Sequence, residues 1–349
     1  MFKKRIIKVF LLWGAIAIGT LIGVDIYCKA DVSGKTSVSG GETYIHSTEE
    51  LKKISENPEG FFTSNGKIYT DAEVKEMKMN MPVRMMEEEP SHNRTTRSII
   101  GEDTRKRVID TTQSPYQSIV HLQSRQMAND TGRDISTPSC SGAIIADSTV
   151  LTAAHCAYSL QTKSFNFKIT AHPGYDEGKE PYGHSPEAIQ VVIPNKALQF
   201  NSKEDISKYM SYGQEYAIIK FPTGTFKNHK FFKLSSKIAE GNPITITGYP
   251  GDKSRESKNK KFYEKFSMWE SRGSVEKIED LENGKYRLII HKLDTTSGTS
   301  GAPTYHSLDG KDFYIYGVYN AGGGTFNNSI GLTDYVINNI NIMKKFHNE

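Results

Sequence analysis

Thr152-Ala153-Ala154-His155-Cys156 and Gly298-Thr299-Ser300-Gly301-Ala302-Pro303 are the two stretches that decide how this chain is read. They set a histidine and a serine 145 positions apart, each inside its own run of small residues. A serine hydroxyl is a weak nucleophile at neutral pH and needs a neighbouring base to take its proton. The oxyanion formed on attack needs main-chain donors, and glycines beside the serine let a carbonyl come close to the backbone. The order His then Ser, with both flanking patterns, predicts a serine nucleophile and its histidine base. Either stretch alone would carry little, because a buried histidine at a strand end and an unrelated Gly/Ser turn are common features of any fold.

Working outward, the chain from about Tyr116 reads as all-β. Short runs of β-branched and aromatic residues alternate with Gly, Pro, Asn and Asp turns. The runs are 117–122, 141–145, 165–170, 188–193, 217–221, 244–247, 286–291 and 313–318. Their number and spacing predict two small antiparallel barrels rather than βαβ units, divided at about 225–240. Only the tail reads as helical: Val336, Ile337, Ile340, Met343 and Phe346 recur near a helical period, with Thr333 or Asp334 as N-cap.

The 349 residues carry a formal net charge of +4 and 36% hydrophobic residues, with a mean hydropathy of −0.53. This is a polar-surfaced chain, and no basic cluster interleaved with aromatics points to nucleic acid. Residues 1–30 read as an export signal. Lys3, Lys4, Arg5 and Lys8 precede the uncharged stretch 9–24, and Cys28-Lys29-Ala30 offers cleavage after Ala30. The alternative is an uncleaved membrane anchor. A secreted chain would keep Cys140 and Cys156, which then form one disulfide or stay as two free thiols. Residues 31–97 are rich in Ser, Gly, Glu, Lys and Met, with weak apolar periodicity beyond a short helix around Asp71 to Met81. They read as a propeptide of net charge −3 ahead of a domain, 98–349, of net charge +3.

The residues of that domain resemble the bacterial glutamyl endopeptidases, the branch of chymotrypsin-fold serine proteases that includes the staphylococcal exfoliative toxins. The patches that carry the resemblance are Ser98-Ile99-Ile100-Gly101, Ser118-Ile119-Val120-His121, Ser139-Cys140-Ser141-Gly142, Thr152 to Cys156, Pro181-Tyr182-Gly183, Thr247 to Lys253, Met268-Trp269 and Ser300 to Pro303. The run Gly248-Tyr249-Pro250-Gly251-Asp252-Lys253 is the most specific of them. The resemblance implies a chymotrypsin-like double antiparallel β-barrel with a C-terminal helix and a cleft between the barrels. It implies a disulfide Cys140–Cys156, His155 as general base, Ser300 as nucleophile, and an oxyanion hole at the N–H groups of Ser300 and Gly298.

At the third triad position the chain departs from the family's Asp-x-Ala pattern. Gln214-Glu215-Tyr216-Ala217 puts Glu215 there, with Asp205 as the rival carboxylate. Glutamate can orient an imidazole, as in some α/β-hydrolases, although its extra methylene moves the carboxylate. The resemblance implies that an activation start at Ser98, after Arg97, brings the new N-terminus to the substrate pocket, where it is largely charged because an α-amino group titrates near ~8. Thr295 matches the family's pocket threonine. Tyr319 replaces the family's carboxylate-binding histidine, and a phenol donates a hydrogen bond but carries no positive charge. Asp294 sits where trypsin-like enzymes bind Lys or Arg, or else it is structural.

The expected specificity is an acidic P1 residue first, a basic one second and an apolar one third, with a catalytically impaired protein-binding homologue as the alternative class. The expected partners are protein or peptide substrates and the chain is expected to be a monomer, with membrane contact only if the anchor persists. The basic stretch 252–266 reads as a surface loop or an exosite. The sequence shows no metal-ligand spacing and no cofactor motif, with ten histidines scattered along it.

Overall fold

The computed structural model describes residues 34–38, 41–79, 99–127, 134–136, 139–159, 162–198, 214–255, 265–323 and 325–346. The proposed leader 1–30, Ser98, Asp205 and most of the basic stretch 252–266 lie outside these residues.

Two antiparallel sheets dominate. The first runs in the order Phe167–Pro173, Ile119–Met127, Cys140–Ala146, Thr149–Thr152, Ala217–Lys220 and Gln190–Pro194. Main-chain bonds from Ala188 to Ile169 (2.8 Å) and from Ser185 to Ala171 (2.8 Å) bring its two ends together. In the second sheet Pro303–His306, Pro243–Gly248, Trp269–Leu281, Tyr286–His291, Phe326–Gly331 and Tyr314–Gly323 pair in sequence, and the last pairs back with the first. That pairing closes a six-stranded barrel and leaves no free edge. The chain crosses from one sheet to the other between Lys220 and Lys233.

Several strands read as unbroken apolar runs, not as alternating ones, because both of their faces are covered. Along 191–193 and 217–219 successive side chains enter different cores. Val191, Ile193, Ile219, Val120, Ile144 and Val150 fill the first barrel. Val192, Ile218, Ile119, Ala143 and Leu151 face a second layer, shared with Ile315, Val318, Ile330, Val336 and Ile340. A third cluster of Ile244, Ile246, Val275, Ile289, Leu293 and Tyr319 fills the closed barrel. Each fully buried side chain of this size contributes roughly 1.5–3 kcal/mol. The middle layer therefore fixes one barrel against the other and, with them, the position of the cleft. The C-terminal helix Asp334–Met343 belongs to this layer, and Thr333 caps it by accepting from the Val336 N–H at 3.2 Å.

Residues 41–79 are ordered and packed. A hairpin of Gly34–Val38 and Gly41–Ile45 is followed by helix Thr48–Glu56, strands Phe61–Thr63 and Ile68–Tyr69, and helix Asp71–Met79. Ser47 and Glu50 close a capping box on the first helix. Strand Phe61–Thr63 pairs with the edge of Gln190–Pro194, with Ile193 opposite Phe62. Phe62 and Ile54 enter the core of the first barrel. Phe61 and Tyr69 enter the middle layer, where the Tyr69 ring stacks on Phe346 at 4.0 Å. The apolar periodicity of this segment is weak because few residues carry it and their partners lie far away in sequence.

Candidate active site

His155 lies on a single 3-10 turn, Ala154–Cys156, that follows strand Thr149–Thr152. Glu215 lies two residues before strand Ala217–Lys220, which pairs with Thr149–Thr152 so that Ala217 faces Thr152. That register carries Glu215 alongside the turn. Its Oε1 accepts the His155 main-chain N–H at 2.7 Å and lies 2.6 Å from His155 Nδ1. One oxygen therefore fixes both the backbone and the ring. The Glu215 carboxylate is fully buried, whereas the His155 side chain keeps 28% of its surface exposed. The Cys140–Cys156 disulfide, with Cα atoms 5.9 Å apart, ties the turn to strand Cys140–Ala146.

Ser300 sits at the mouth of the closed barrel, just before strand Pro303–His306. Two of its neighbours must be glycine. Gly298 has φ +98°, and a Cβ there would lie 2.4 Å from the Tyr249 carbonyl oxygen. Gly301 has φ +81°, and its Cβ would lie 2.0 Å from Thr152 Oγ1. Both positions combine a left-handed backbone with close approach, which side-chain-bearing residues do not tolerate. The Ser300 hydroxyl is buried with no hydrogen-bond partner among the described residues.

One residue missed as functional in the sequence joins the two halves. Ser141 donates its N–H to the Ser300 carbonyl at 2.8 Å and its hydroxyl to the Gly298 carbonyl at 2.9 Å. The same hydroxyl accepts the Tyr249 N–H at 2.9 Å, and the Ser141 carbonyl accepts from Thr152 Oγ1 at 2.7 Å. The signal was a small polar residue between Cys140 and Gly142, in a patch already singled out. The run Gly248 to Lys253 wraps the same loop. Gly251 N–H donates to the Ser297 carbonyl at 2.6 Å, and Asp252 takes two bonds from the Arg105 guanidinium, at 3.0 and 2.6 Å. Arg105 also binds Asp103, and those bonds hold the Asp103 carboxyl well below the usual carboxylate range.

The side chains expected to line the substrate pocket bond to each other. Thr295 Oγ1 donates to the Tyr319 hydroxyl at 2.5 Å, with both residues fully buried. Behind them His291 lies 3.2 Å from Ser329 Oγ, and burial lowers its pKa to about 3, so the ring is uncharged. Asp294 is committed elsewhere. Its Oδ1 accepts the Ile100 N–H at 2.9 Å, and its Oδ2 accepts the Thr104 N–H at 2.8 Å and the Thr104 hydroxyl at 2.7 Å. Asp294 thus anchors the segment that follows Ser98.

A double β-barrel with a serine on a glycine-bounded loop and a histidine–carboxylate pair across the cleft defines a serine hydrolase architecture. Residues 104–342 match the trypsin family model, and the chain belongs to that family. It is 28% identical to a glutamyl endopeptidase of Bacillus licheniformis, over 97% of this chain and 98% of that protein. It is 25% identical to an extracellular metalloprotease of Bacillus subtilis, over 93% of this chain and 92% of that protein. A solved glutamyl endopeptidase in complex with MPD superposes with a TM-score of 0.56 at 26% identity, covering 71% of this chain and all of that one. The chain is a serine endopeptidase of trypsin-like fold. No helix among the described residues is long and apolar enough to cross a membrane.

Proposed function

We propose that this endopeptidase is secreted and cleaves protein substrates through an acyl-enzyme formed on Ser300. His155 takes the Ser300 proton as Oγ attacks the scissile carbonyl and then passes it to the leaving amine. The main-chain N–H groups of Gly298 and Ser300 receive the oxyanion, and neither has a hydrogen-bond acceptor among the described residues. Glu215 holds the Nδ1–H tautomer and stabilises the imidazolium. The observation that carries this reading is the 2.6 Å contact between buried Glu215 and His155, across the cleft from a Ser300 loop pinned by Ser141. The Ser300 hydroxyl, unpartnered among the described residues, fits a catalytic bond that tightens only when substrate fills the cleft.

A metal-centred reading finds less support in the cleft. Cys140, His155 and Cys156 converge there, but the two sulfurs are joined to each other and offer no thiolate.

An acidic P1 residue remains the first choice. Asp294 is engaged by Ile100 and Thr104, which weakens the basic alternative. The same bonds hold Ile100 two residues from Ser98, within about 7 Å of chain reach. Cleavage after Arg97, with residues 31–97 as propeptide, would then deliver an ammonium near Thr295 and Tyr319, whose hydroxyls complete a carboxylate site. Two measurements test the proposal. A fluorophosphonate should label Ser300 stoichiometrically, and a peptide library should show cleavage after Glu only in material that starts at Ser98. A folded protein that takes no label would be a non-catalytic binder, and cleavage indifferent to the start would remove the role of Ser98.

A further inference from the structure

Away from the cleft, strand Phe167–Pro173 and the loop that follows it bring together His172, Glu180 and His184. Glu180 Oε1 lies 2.6 Å from His172 Nδ1, and its Oε2 lies 2.9 Å from His184 Nδ1. The possible ligand atoms of the three residues all fall within 4.8 Å of one another. We propose that His172, Glu180 and His184 form a binding site for one divalent transition-metal ion of the zinc class, which clamps this loop to the first barrel.

Three features argue that the site is built. The loop is fixed by hydrogen bonds independent of the cluster. Ser185 N–H donates to the Ala171 carbonyl at 2.8 Å, and Ala171 N–H donates to Ser185 Oγ at 2.9 Å. These bonds hold His184 and His172 side by side, with ring centroids 5.2 Å apart. The turn then carries Glu180 back between them. Gly183 adopts φ +69°, and its N–H donates to the Glu180 carbonyl at 3.0 Å. Finally, His172 Nε2 lies 3.0 Å from Thr170 Oγ1. A hydroxyl there accepts the Nε2 proton when Nδ1 gives its lone pair to a metal, the second contact by which ligating histidines are oriented.

The donor set selects the ion. Two imidazoles and one carboxylate suit zinc-like ions over calcium or magnesium, which prefer oxygen. Three protein ligands leave a fourth position, and His184, with 57% of its side chain exposed, opens that position to water. Bonds of about 2.0–2.1 Å in a tetrahedron separate ligands by roughly 3.3 Å. Glu180 need therefore retreat by less than about 1 Å from its present contacts with the two rings, while the ligand atoms, now within 4.8 Å of one another, close to that spacing. The metal replaces the two hydrogen bonds to Glu180, and each ring moves its proton to Nε2 with no net release.

The test is zinc titration by competition with a chromophoric chelator, using the full chain carrying His155→Ala. This background removes the catalytic imidazole as a rival ligand and prevents autolysis. One zinc ion should bind, and adding His184→Ala should abolish binding with an unchanged circular dichroism spectrum. Glu180→Gln, which keeps hydrogen-bonding capacity, should also abolish it. Thr170→Val should weaken binding by roughly 10–100-fold, the scale of an outer-shell loss. If zinc fails to bind the His155→Ala protein, or binds the Glu180→Gln version equally well, the cluster is a metal-free pair of hydrogen bonds and the proposal fails.

Discussion

Two histidine–glutamate contacts in this molecule have the same length and different surroundings. His155 and His172 each place Nδ1 2.6 Å from a glutamate Oε1. In the cleft the carboxylate is fully buried, serves one ring and also accepts that ring's own main-chain N–H. On the loop the carboxylate is partly exposed, is shared by two rings and bridges two segments. The contact distance does not separate the two sites. Burial and the second bond on the carboxylate do, and on the loop the far ring nitrogen of His172 lies against the Thr170 hydroxyl. The first arrangement suits moving a proton, the second suits holding a cation.

The largest effect expected in the cleft is that of Ser300→Ala, which should lower kcat by about 10⁶-fold. Peptide hydrolysis in a variant with an unchanged melting curve measures it. A third histidine sharpens the contrast, because His46 makes no hydrogen bond to a carboxylate among the described residues. It lies among Tyr44, Phe62, Tyr158 and Phe165, and burial lowers its pKa to about 4 against the opposing pull of Glu50 and the Lys163 backbone. The folded chain that retains residues 31–97 therefore prefers neutral His46. Stability from this residue is complete above the unfolded value of about 6.5 and falls as pH drops toward 4, by roughly 3 kcal/mol. His46→Phe should flatten that limb of a plot of urea midpoint against pH, and an unchanged slope would show that His46 does not set it.

A smaller effect is expected at Ser141, which positions the Ser300 loop without touching substrate. Ser141→Ala removes the hydroxyl bonds to Gly298 and Tyr249, and kcat should fall by about tenfold with little change in KM. A rise in KM alone would place its role in binding. The smallest effect should follow Glu180→Gln, with kcat/KM changed by less than about twofold, since it shares no contact with the cleft residues. A large loss there would collapse the distinction between the two glutamates.

The sequence made the catalytic half legible because chemistry forces local patterns. Glycines at 298 and 301 are required by close backbone approach, and His155 lies on the same turn as the disulfide-bonded Cys156. The two barrels could be read from strand spacing. The departure at Glu215 could be located, but whether its longer side chain reaches His155 depends on the register of Ala217 with Thr152. Residues 31–97 read as a weakly patterned propeptide, and the packing of 41–79 is not legible in that pattern because Phe61 and Phe62 are adjacent and enter different cores. The same long-range pairing hid Ser141, and it hid the His172, Glu180 and His184 cluster, whose spacing matches no metal motif until a loop folds back.

The central claim is that Glu215 completes a working triad with His155 and Ser300. The most direct test is the rate of Ser300 acylation by a fluorophosphonate in the wild type and in Glu215→Gln, which keeps an acceptor for the His155 N–H and removes the charge. The wild type should label at Ser300, and the variant should label about 10⁴-fold more slowly. Equal rates, or no labelling of a folded wild type, would contradict it.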